Sequence, residues 1–358
     1  MGVRIEEFLR EMAPIIDRAI ERYVPRRFRR DSLLFQLNPP SREVSLEALN
    51  KALAEPIWEF LDRGGKRWRP SLFLLVCEAL GKDPMKFLDF AIIPEVIHNG
   101  TLMVDDVEDQ STLRRGRPCT YLLYGLDIAI NAGNAMYYLP LLTLLRHRDE
   151  IPPTQAVRLY EIYVRAMINL SLGQGMDIAW HRGLANADEV TEEQYLQMCA
   201  YKTGTLARLA AEMAAVLSGA SDELVERLGR FAESIGVAFQ IQDDLLDLTG
   251  GEFSKRKGGV GRDITEGKRT LMVIHTLQHA TPEDRERLIQ ILNMHTDDQA
   301  LIQEAIQIMK KYGSIEYARR RARSLVEESW REVEPLLPPS RAKSLLMAFA
   351  TYLIERRI

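Results

Sequence analysis

An apolar segment runs directly into a group of acidic residues at two places in this 358-residue sequence, and this arrangement constrains the fold more than any other feature. The first segment spans residues 92–104 and is followed by Asp105, Asp106, Glu108 and Asp109. Residues three and four apart are neighbours on a helix, so Asp105 and Asp109 share a face and repel each other by roughly 0.2–0.5 kcal/mol. A helix this apolar should pack inside a protein, where an unpaired carboxylate is costly. The sequence therefore predicts a cationic partner for the cluster.

Two kinds of partner are open for these carboxylates. Arg114, Arg115 and Arg117 follow the cluster closely and could form ion pairs with it. The alternative is a divalent metal, because magnesium is commonly held by one or two carboxylates together with substrate phosphates. This stretch alone does not distinguish the two.

The second acidic cluster repeats the layout and favours the metal. An apolar segment over residues 235–241 leads into Asp243, Asp244 and Asp247, and a basic segment follows each cluster, as Arg114 to Arg117 and as Lys255 to Lys268. Two banks of carboxylates that face each other would hold several magnesium ions, and such ions would bind a diphosphate. The basic residues would then contact the phosphate oxygens that the metals leave free.

Almost every segment has the period of an amphipathic helix, and no window shows the alternation of a strand. Predicted helices cover residues 3–24, 44–62, 123–147, 153–181, 191–218, 222–249, 297–311, 314–335 and 340–357, with others after Pro70, Asp83-Pro84 and Thr281-Pro282. No composition break marks a domain boundary. We therefore predict one all-α domain over residues 1–358, a large helical bundle around a central cavity in which residues 1–40 form an N-terminal helical extension.

Composition narrows the setting. A net charge of −4 gives no reason to expect nucleic acid as a partner. Cys77, Cys119 and Cys199 are scattered and odd in number, which fits a reducing compartment and core packing. The N-terminus is charged and unlike a signal peptide, and the longest apolar run, about Tyr137 to Leu145, is far shorter than the roughly 20 residues that span a bilayer. We expect a cytoplasmic protein with no membrane span.

Further polar residues interrupt apolar segments. The turn from Gly64 to Pro70 carries Lys66, Arg67 and Arg69, and is either a phosphate site or a solvated turn. His98 lies seven residues before Asp105, two helical turns along nearly the same face, where a satisfied core histidine is the simpler interpretation. Lys202-Thr203 stands in an alanine- and leucine-rich segment, where the lysine needs an anion or must reach the surface. Gln240 precedes the second cluster by one turn and could present a neutral dipole to the same cavity.

Together these residues resemble the trans-isoprenyl diphosphate synthase (polyprenyl synthetase) family, of the geranylgeranyl/farnesyl diphosphate synthase type, over roughly residues 45–280. The family's two aspartate-rich motifs are similar to Asp105–Asp109 and Asp243–Asp247, and its GGKxxRP turn to Gly64–Pro70. Lys202-Thr203, Gln240 and the segment from Asp263 to Thr270 also match. One departure is that Gly259 stands where the family usually has a lysine, four residues before Asp263, so that Lys257 or Lys255 would have to replace it.

The resemblance implies a magnesium-dependent prenyltransferase that condenses isopentenyl diphosphate with an allylic diphosphate, with the released pyrophosphate as base, and that forms a homodimer. Three magnesium ions are expected, and manganese could replace them. Their implied ligands are Asp105, Asp109 and Asp243, with neighbours Asp106, Asp244 and Asp247. Arg114, Lys202 and Lys268 would bind the allylic diphosphate, and Lys66, Arg69, His98 and Arg115 that of isopentenyl diphosphate. Thr203 and Gln240 would lie along the developing carbocation.

Product length in the family depends on the helix of the first aspartate motif. Gly100 and Thr101 lie some 6–8 Å below Asp105 at about 1.5 Å per residue, and both are small, so the upper tunnel should be open. A floor would come from Ile97 and from Met136, Tyr137 and Tyr138. We expect a C20 product, with C25–C35 and C15 as alternatives. The alternative interpretation of Gly100 is that it only allows close helix packing.

Two rival functions remain on the same fold. A class I terpene cyclase or a head-to-head synthase would have an aspartate-rich motif, but it has no isopentenyl diphosphate to bind and would not need the turn around Lys66 or His98. A regulatory subunit commonly loses one acidic motif, whereas both are intact here.

Overall fold

The computed structural model describes residues 5–249 and 259–355, and within these ranges the protein is built almost entirely of helices. The α-helices are α1 (Ile5–Tyr23), α2 (Leu33–Leu37), α3 (Leu46–Leu49), α4 (Glu55–Leu61), α5 (Trp68–Ala79), α6 (Leu88–Glu108), α7 (Thr120–Tyr124), α8 (Leu126–Tyr138), α9 (Leu142–Arg146), α10 (Pro153–His181), α11 (Glu192–Cys199), α12 (Thr205–Leu217), α13 (Asp222–Thr249), α14 (Arg262–Thr265), α15 (Leu271–His279), α16 (Pro282–Asn293), α17 (Gln299–Lys311), α18 (Ser314–Val333) and α19 (Arg341–Glu355). Short 3₁₀ turns occupy Pro84–Phe87, Leu139–Leu141, Ala187–Glu189 and Glu334–Leu336. The predicted all-α class is confirmed.

Local signals account for many of the helix boundaries. Thr191 and Gln194 form the predicted capping box at the start of α11. Thr281 accepts the backbone N–H of Asp284 and so caps α16, as its side chain and the following proline predict. The helix predicted over residues 123–147 is instead interrupted, because Gly125 takes φ +100° and a 3₁₀ turn with Pro140 separates α8 from α9.

A two-residue hairpin is the feature that periodicity misses. Strand β1 (Leu113–Arg114) pairs antiparallel with β2 (Arg117–Pro118). Arg115 and Gly116 form the turn with φ +55° and +76°, and two positive φ angles are what a two-residue type I′ hairpin requires. Strands of two residues are too short to show any alternation.

In the described part of the chain, two π-helical segments interrupt longer helices. One, Asn50–Ala54, joins α3 to α4, and the other, Ala200–Gly204, joins α11 to α12. Such segments are rare and frequently mark functional positions. The second one contains Lys202 and Thr203, two of the residues that the sequence singles out.

The chain divides into two compact units, and the single domain over residues 1–358 stays a prediction. The first unit comprises Met1–Tyr163, Leu209–Leu228 and Leu337–Ala348, and the second Val164–Arg208, Gly229–Leu336 and Phe349–Ile358. In the first, α6 packs against α1, α5 and α8 around a core that includes Ile16, Phe60, Ile92 and Met136. In the second, α15 packs against α18, and Phe231 lies 5.0 Å from Trp330 between ring centroids.

Within the residues that the structure describes, two helices are long and apolar enough to cross a membrane by length and composition, although neither is one uninterrupted apolar run. They are Pro84–Glu108 and Leu126–Arg146, and 61% and 44% of their apolar windows are buried inside the protein. The first is the core helix α6 with its preceding turn, and core helices of soluble proteins pass the same test. Cys77, Cys119 and Cys199 are buried and unbridged, as core packing predicts.

Candidate active site

The first acidic cluster ends α6, and the hairpin folds an arginine back onto it. Arg114 donates from Nε to Asp106 Oδ1 at 2.6 Å and from Nη2 to Asp105 Oδ2 at 3.2 Å. Asp106 is fully buried, and burial raises the pKa of its carboxyl although Arg114 opposes that shift. Of the three neighbouring arginines, Arg114 thus forms ion pairs with the acidic cluster, whereas Arg115 donates to the Gly64 carbonyl and Arg117 pairs with Glu59.

A cationic cluster of one buried and one partly buried arginine lies in the same unit. Arg69 is 4% exposed and stacks 4.3 Å from the ring centroid of Trp68, and Arg115 stacks 5.2 Å from that of Phe60. Burial lowers the pKa of each guanidinium to about 10. The charge of Arg115 also lowers the pKa of Arg69, and that of Arg67 also lowers the pKa of Arg115. Arg69 Nε is buried and has no hydrogen-bond partner among residues 5–249 and 259–355. Desolvation, followed by the charges of Arg69 and Arg115, holds the pKa of His98 well below its usual range. Such a cluster favours an anion.

The turn that presents these cations is held by a buried ion pair. Arg67 is the N-cap residue immediately before α5 and has φ +47°, and both Arg67 and Glu95 are 3% exposed. Arg67 donates to Glu95 Oε1 at 3.2 Å and to Asp17 Oδ1 at 2.8 Å, and Asn99 donates to Glu95 as well. Lys66, between Gly65 and Arg67, is exposed. Sequence reasoning missed Glu95, although an acidic residue in an apolar helix, three residues before His98, was a usable signal.

In the second unit, Lys202 is held by an aspartate that sequence reasoning also missed. Lys202 Nζ donates to Asp177 Oδ2 at 2.6 Å, and Asp177 is 8% exposed. Asp177 lies on α10, four residues before His181. Burial lowers the pKa of His181, and the charge of Asp177 only partly offsets that shift. An acidic residue at a buried position of a long helix could have indicated this pair, but its partner is 25 residues away in sequence.

Glycine contacts fix the backbone around Lys202 and Thr203. A Cβ added at Gly173 of α10 would lie 2.4 Å from the Lys202 backbone nitrogen, and one at Gly236 of α13 would lie 2.6 Å from Gly204 Cα. These distances are shorter than real Cβ contacts, so the π-helical segment approaches two helices only because glycine stands at both positions.

A chain of hydrogen bonds links Thr203 to the second acidic cluster. Thr203 Oγ1 donates to Gln240 Oε1 at 2.9 Å, and Gln240 Nε2 donates to Asp244 Oδ1 at 2.8 Å. The hydroxyl of Tyr195, which is 2% exposed, donates to Asp244 Oδ2 at 2.7 Å. Burial and the Asp244 charge hold the pKa of Tyr195 well above its usual range, so it remains a donor.

The rest of the second cluster organises the following turn. Asp247 is fully buried, and its Oδ2 accepts the backbone N–H of Asp263 at 3.0 Å. Lys268 pairs with Glu266 at 2.7 Å. Gly259 takes φ +137°, a conformation that side-chain-bearing residues rarely adopt, which explains why a lysine is disfavoured there. Lys255 and Lys257, the predicted replacements, lie outside the described residues.

The predicted chain-length residues occupy different environments. A Cβ at Gly100 would lie 2.7 Å from the Gly133 carbonyl oxygen and 2.8 Å from Met136 Cβ, so the space beside Gly100 is occupied by α8. This geometry is the close packing of the alternative interpretation. Thr101 is partly exposed and Ile97 is fully buried. The Tyr138 side chain is 64% exposed. Tyr137 is more enclosed, and burial, followed by the charges of Glu108 and Asp105, raises its pKa.

The donor set fits a metal that is bound together with a phosphate ligand. Among the described residues no three His, Cys, Asp or Glu side chains converge on one metal position, and carboxylate oxygens with substrate phosphates are the usual magnesium ligands. Each acidic cluster contains both buried and partly exposed aspartates. Asp106, Asp244 and Asp247 are buried and hold protein partners, whereas Asp105, Asp109 and Asp243 are partly exposed.

Comparison with known proteins identifies the family. The polyprenyl synthetase family model matches residues 50–309. The chain belongs to the polyprenyl synthetase family. The chain is 37% identical over 315 residues to the short chain isoprenyl diphosphate synthase of Methanothermobacter thermautotrophicus, a match that covers 88% of this chain and 94% of that protein. It is 35% identical over 316 residues to the geranylfarnesyl diphosphate synthase of Natronomonas pharaonis, covering 83% and 87%.

The solved structure of geranylgeranyl pyrophosphate synthetase from Pyrococcus horikoshii has the same fold as this chain. The TM-score is 0.84 with 31% sequence identity, and the match covers 98% of each chain. The all-α isoprenoid synthase fold and the predicted class of enzyme, a trans-prenyltransferase, are therefore confirmed. The family uses a divalent metal for catalysis.

Proposed function

We propose that this enzyme condenses isopentenyl diphosphate head-to-tail (1′-4) with an allylic diphosphate (dimethylallyl, geranyl or farnesyl) and releases an all-trans prenyl diphosphate. The observation that carries the proposal is the cluster of Arg69, which is buried, with Arg115 and His98, which are partly buried. Two largely desolvated guanidinium groups with pKa values lowered to about 10 are stabilised by an anion, and guanidinium forks suit phosphate oxygens. A terpene cyclase has no second diphosphate to fill such a cluster.

Each diphosphate has its own set of residues in this proposal. Lys66, Arg69, His98 and Arg115 bind isopentenyl diphosphate, and Arg114, Lys202 and Lys268 bind the allylic diphosphate. Each cation of the second set is paired with a carboxylate, as Lys202 is with Asp177 at 2.6 Å. These pairs keep the cations charged and oriented before the diphosphate arrives.

Metal ions are part of the same proposal. Asp105, Asp109 and Asp243 would hold three magnesium ions, which manganese could replace, and Asp106, Asp244 and Asp247 would support them. Bound magnesium would neutralise the diphosphate charge that develops as the allylic C–O bond breaks. The partial exposure of the first three carboxylates supports this division of roles.

The protein's own groups then act on the carbon skeleton. Thr203 and Gln240 lie along the developing carbocation, and their oxygen dipoles favour its positive charge. The double bond of isopentenyl diphosphate attacks the cation, and the proton lost from the adduct passes to the released pyrophosphate.

We propose a C20 product. The similarity to the geranylgeranyl pyrophosphate synthetase of Pyrococcus horikoshii supports this length, and that to the geranylfarnesyl diphosphate synthase of Natronomonas pharaonis supports a longer product as the alternative, within C25–C35. The small, partly exposed Thr101 argues against C15, for which an aromatic ring is typical.

The decisive experiment mixes the purified protein with magnesium, isopentenyl diphosphate and each allylic diphosphate in turn. A longer diphosphate is expected. Hydrocarbon formed without consumption of the C5 substrate would indicate a cyclase, and no product with any allylic substrate would refute the proposal.

Aspartate variants test the metal assignment. Asp105→Ala and Asp243→Ala should each lower kcat by several orders of magnitude while the protein still folds, because removing one carboxylate relieves repulsion in the metal-free protein. Turnover near that of the wild type in either variant would contradict the assignment.

We also propose that the chain works as a single-domain, cytoplasmic homodimer. Leu126 and Ile130 on α8 are 55% and 37% exposed, and Val164, Ile168 and Leu172 repeat every four residues along α10 with about half of each side chain exposed. Apolar rows of this kind mark interaction surfaces. Light scattering should give the mass of a dimer, and Ile168→Glu should yield monomer.

A further inference from the structure

We propose that Tyr195 is a positioning residue for the reaction: through Asp244 it orients the Gln240 amide and, with it, the Thr203 hydroxyl. This inference rests on the proposed function, in which Thr203 and Gln240 face the developing carbocation. Neither the aspartate motifs nor the Lys202-Thr203 pair includes Tyr195, which lies seven residues before Lys202 on α11.

The four side chains form one continuous hydrogen-bonded row within the second unit. The donor–acceptor distances are 2.7 Å from Tyr195 to Asp244, 2.8 Å from Gln240 to Asp244 and 2.9 Å from Thr203 to Gln240. Tyr195 and Asp244 are 2% and 5% exposed, so water does not replace these bonds readily. Gln240 and Asp244 are four residues apart on α13 and therefore neighbours on one face.

The chemistry of the groups decides the direction of every bond in the row. A carboxylate only accepts, so Gln240 must turn its NH₂ group toward Asp244 and its oxygen toward Thr203. Thr203 must then donate its single hydroxyl hydrogen to that oxygen. The hydroxyl is left with lone pairs for any other neighbour, which is the orientation that favours positive charge.

Tyr195 is the group that keeps this direction in place. Its hydroxyl occupies Asp244 Oδ2 and leaves Oδ1 aimed at Gln240. The close contact of Gly236 with Gly204 restrains the backbone at the other end of the row. The hydrogen bond from the phenol restrains rotation of the Asp244 carboxylate, and the bond to that carboxylate opposes a flip of the Gln240 amide.

The first test is Tyr195→Phe, assayed with isopentenyl diphosphate and an allylic diphosphate. Because a donor that itself faces developing charge is worth about 10²–10³ in kcat, a group acting one step behind should cost about tenfold to hundredfold. Both KM values should change by less than about twofold, since the diphosphate contacts are untouched. Tyr317→Phe is the matched control, because it removes another phenol–carboxylate bond in the same unit, to Glu192. Its kcat should stay within about twofold of wild type.

A double-variant cycle separates positioning from packing or metal binding. In a Thr203→Val background the row has lost its end, so adding Tyr195→Phe should lower kcat by less than about threefold further. The magnesium concentration for half-maximal rate should match wild type in Tyr195→Phe. Melting temperatures of both tyrosine variants show how much each loses in stability alone.

Three results would overturn the inference while the proposed function stands. The first is a wild-type kcat in Tyr195→Phe, and the second is an undiminished effect of Tyr195→Phe in the Thr203→Val background. The third is a raised magnesium requirement of Tyr195→Phe, which would indicate that Tyr195 positions a metal ligand instead. Failure of the proposed function is distinct, because the wild-type protein would then not elongate any allylic diphosphate.

Discussion

Replacing Glu95 by glutamine tests whether the cationic cluster depends on a buried carboxylate. Glu95 is 3% exposed, accepts a hydrogen bond from Arg67 at 3.2 Å, and its charge counteracts the lowering of the pKa of Arg69 and Arg115. Breaking a buried ion pair from one side costs about 3–5 kcal/mol. Glutamine keeps an acceptor for Arg67 and Asn99, so we expect a loss near the lower end, about 3 kcal/mol.

That loss converts into a modest shift of melting temperature in a chain of this size. With an unfolding entropy of about 2.1 cal/mol/K per residue, 358 residues give roughly 0.75 kcal/mol per degree, so the expected fall is about 4 °C. Asp17→Asn is the matched control, because Asp17 is the other partner of Arg67 but its side chain is 44% exposed. An ion pair that exposed is worth about 1 kcal/mol or less, or roughly 1 °C.

Calorimetry with and without pyrophosphate completes the test. Pyrophosphate supplies the negative charge that Glu95→Gln removes, so its addition should raise the melting temperature of this variant more than that of wild type and narrow the gap. Equal falls for Glu95→Gln and Asp17→Asn would refute the role of burial. A gap that pyrophosphate leaves unchanged would refute the role of Glu95 as the counter-ion of a diphosphate site.

Three further predictions follow from the same geometry. Gly173→Ala should lower both kcat and stability, because its Cβ would lie 2.4 Å from the Lys202 backbone nitrogen. Gly175→Ala is the control, because a Cβ there would have nothing within 4 Å, and it should stabilise the protein by about 0.5–1 kcal/mol. Melting temperature and turnover measured for both variants test this difference. The pKa of His98 is held well below 6.5, so below pH 6.5 the unfolded protein binds a proton that the folded protein does not. The contribution of neutral His98 to stability is therefore present above pH 6.5 and lost as the pH falls below it. The melting temperature of His98→Gln should fall less on acidification than that of wild type. Thr101→Phe should shorten the main product by one or more C5 units, whereas Gly100→Phe should mainly destabilise the α6–α8 contact; chromatography of dephosphorylated products that shows unchanged lengths for Thr101→Phe would place the tunnel elsewhere.

Local sequence determined the helices and the residue types at the two acidic clusters. The capping box of Thr191 and Gln194, the cap at Thr281 and the helical period over residues 153–181 all depend on neighbours within one or two turns, which the sequence displays directly. The aspartates at residues 105–109 and 243–247 were recognisable for the same reason, because a carboxylate at the end of an apolar helix needs a cation whatever the fold.

Only the tertiary structure decided which side chains hold those residues in place. Asp177 meets Lys202 across 25 residues, Tyr195 meets Asp244 across 49, and Glu95 meets Arg67 across 28. Tertiary packing also decided that Gly100 faces the Gly133 carbonyl of α8. The spacing of Gly100 from Asp105 in the sequence is equally compatible with close helix packing and with an open tunnel. The physical reason is that helical periodicity reports which face of a helix is apolar, whereas a buried hydrogen bond or ion pair between distant segments depends on how those faces meet.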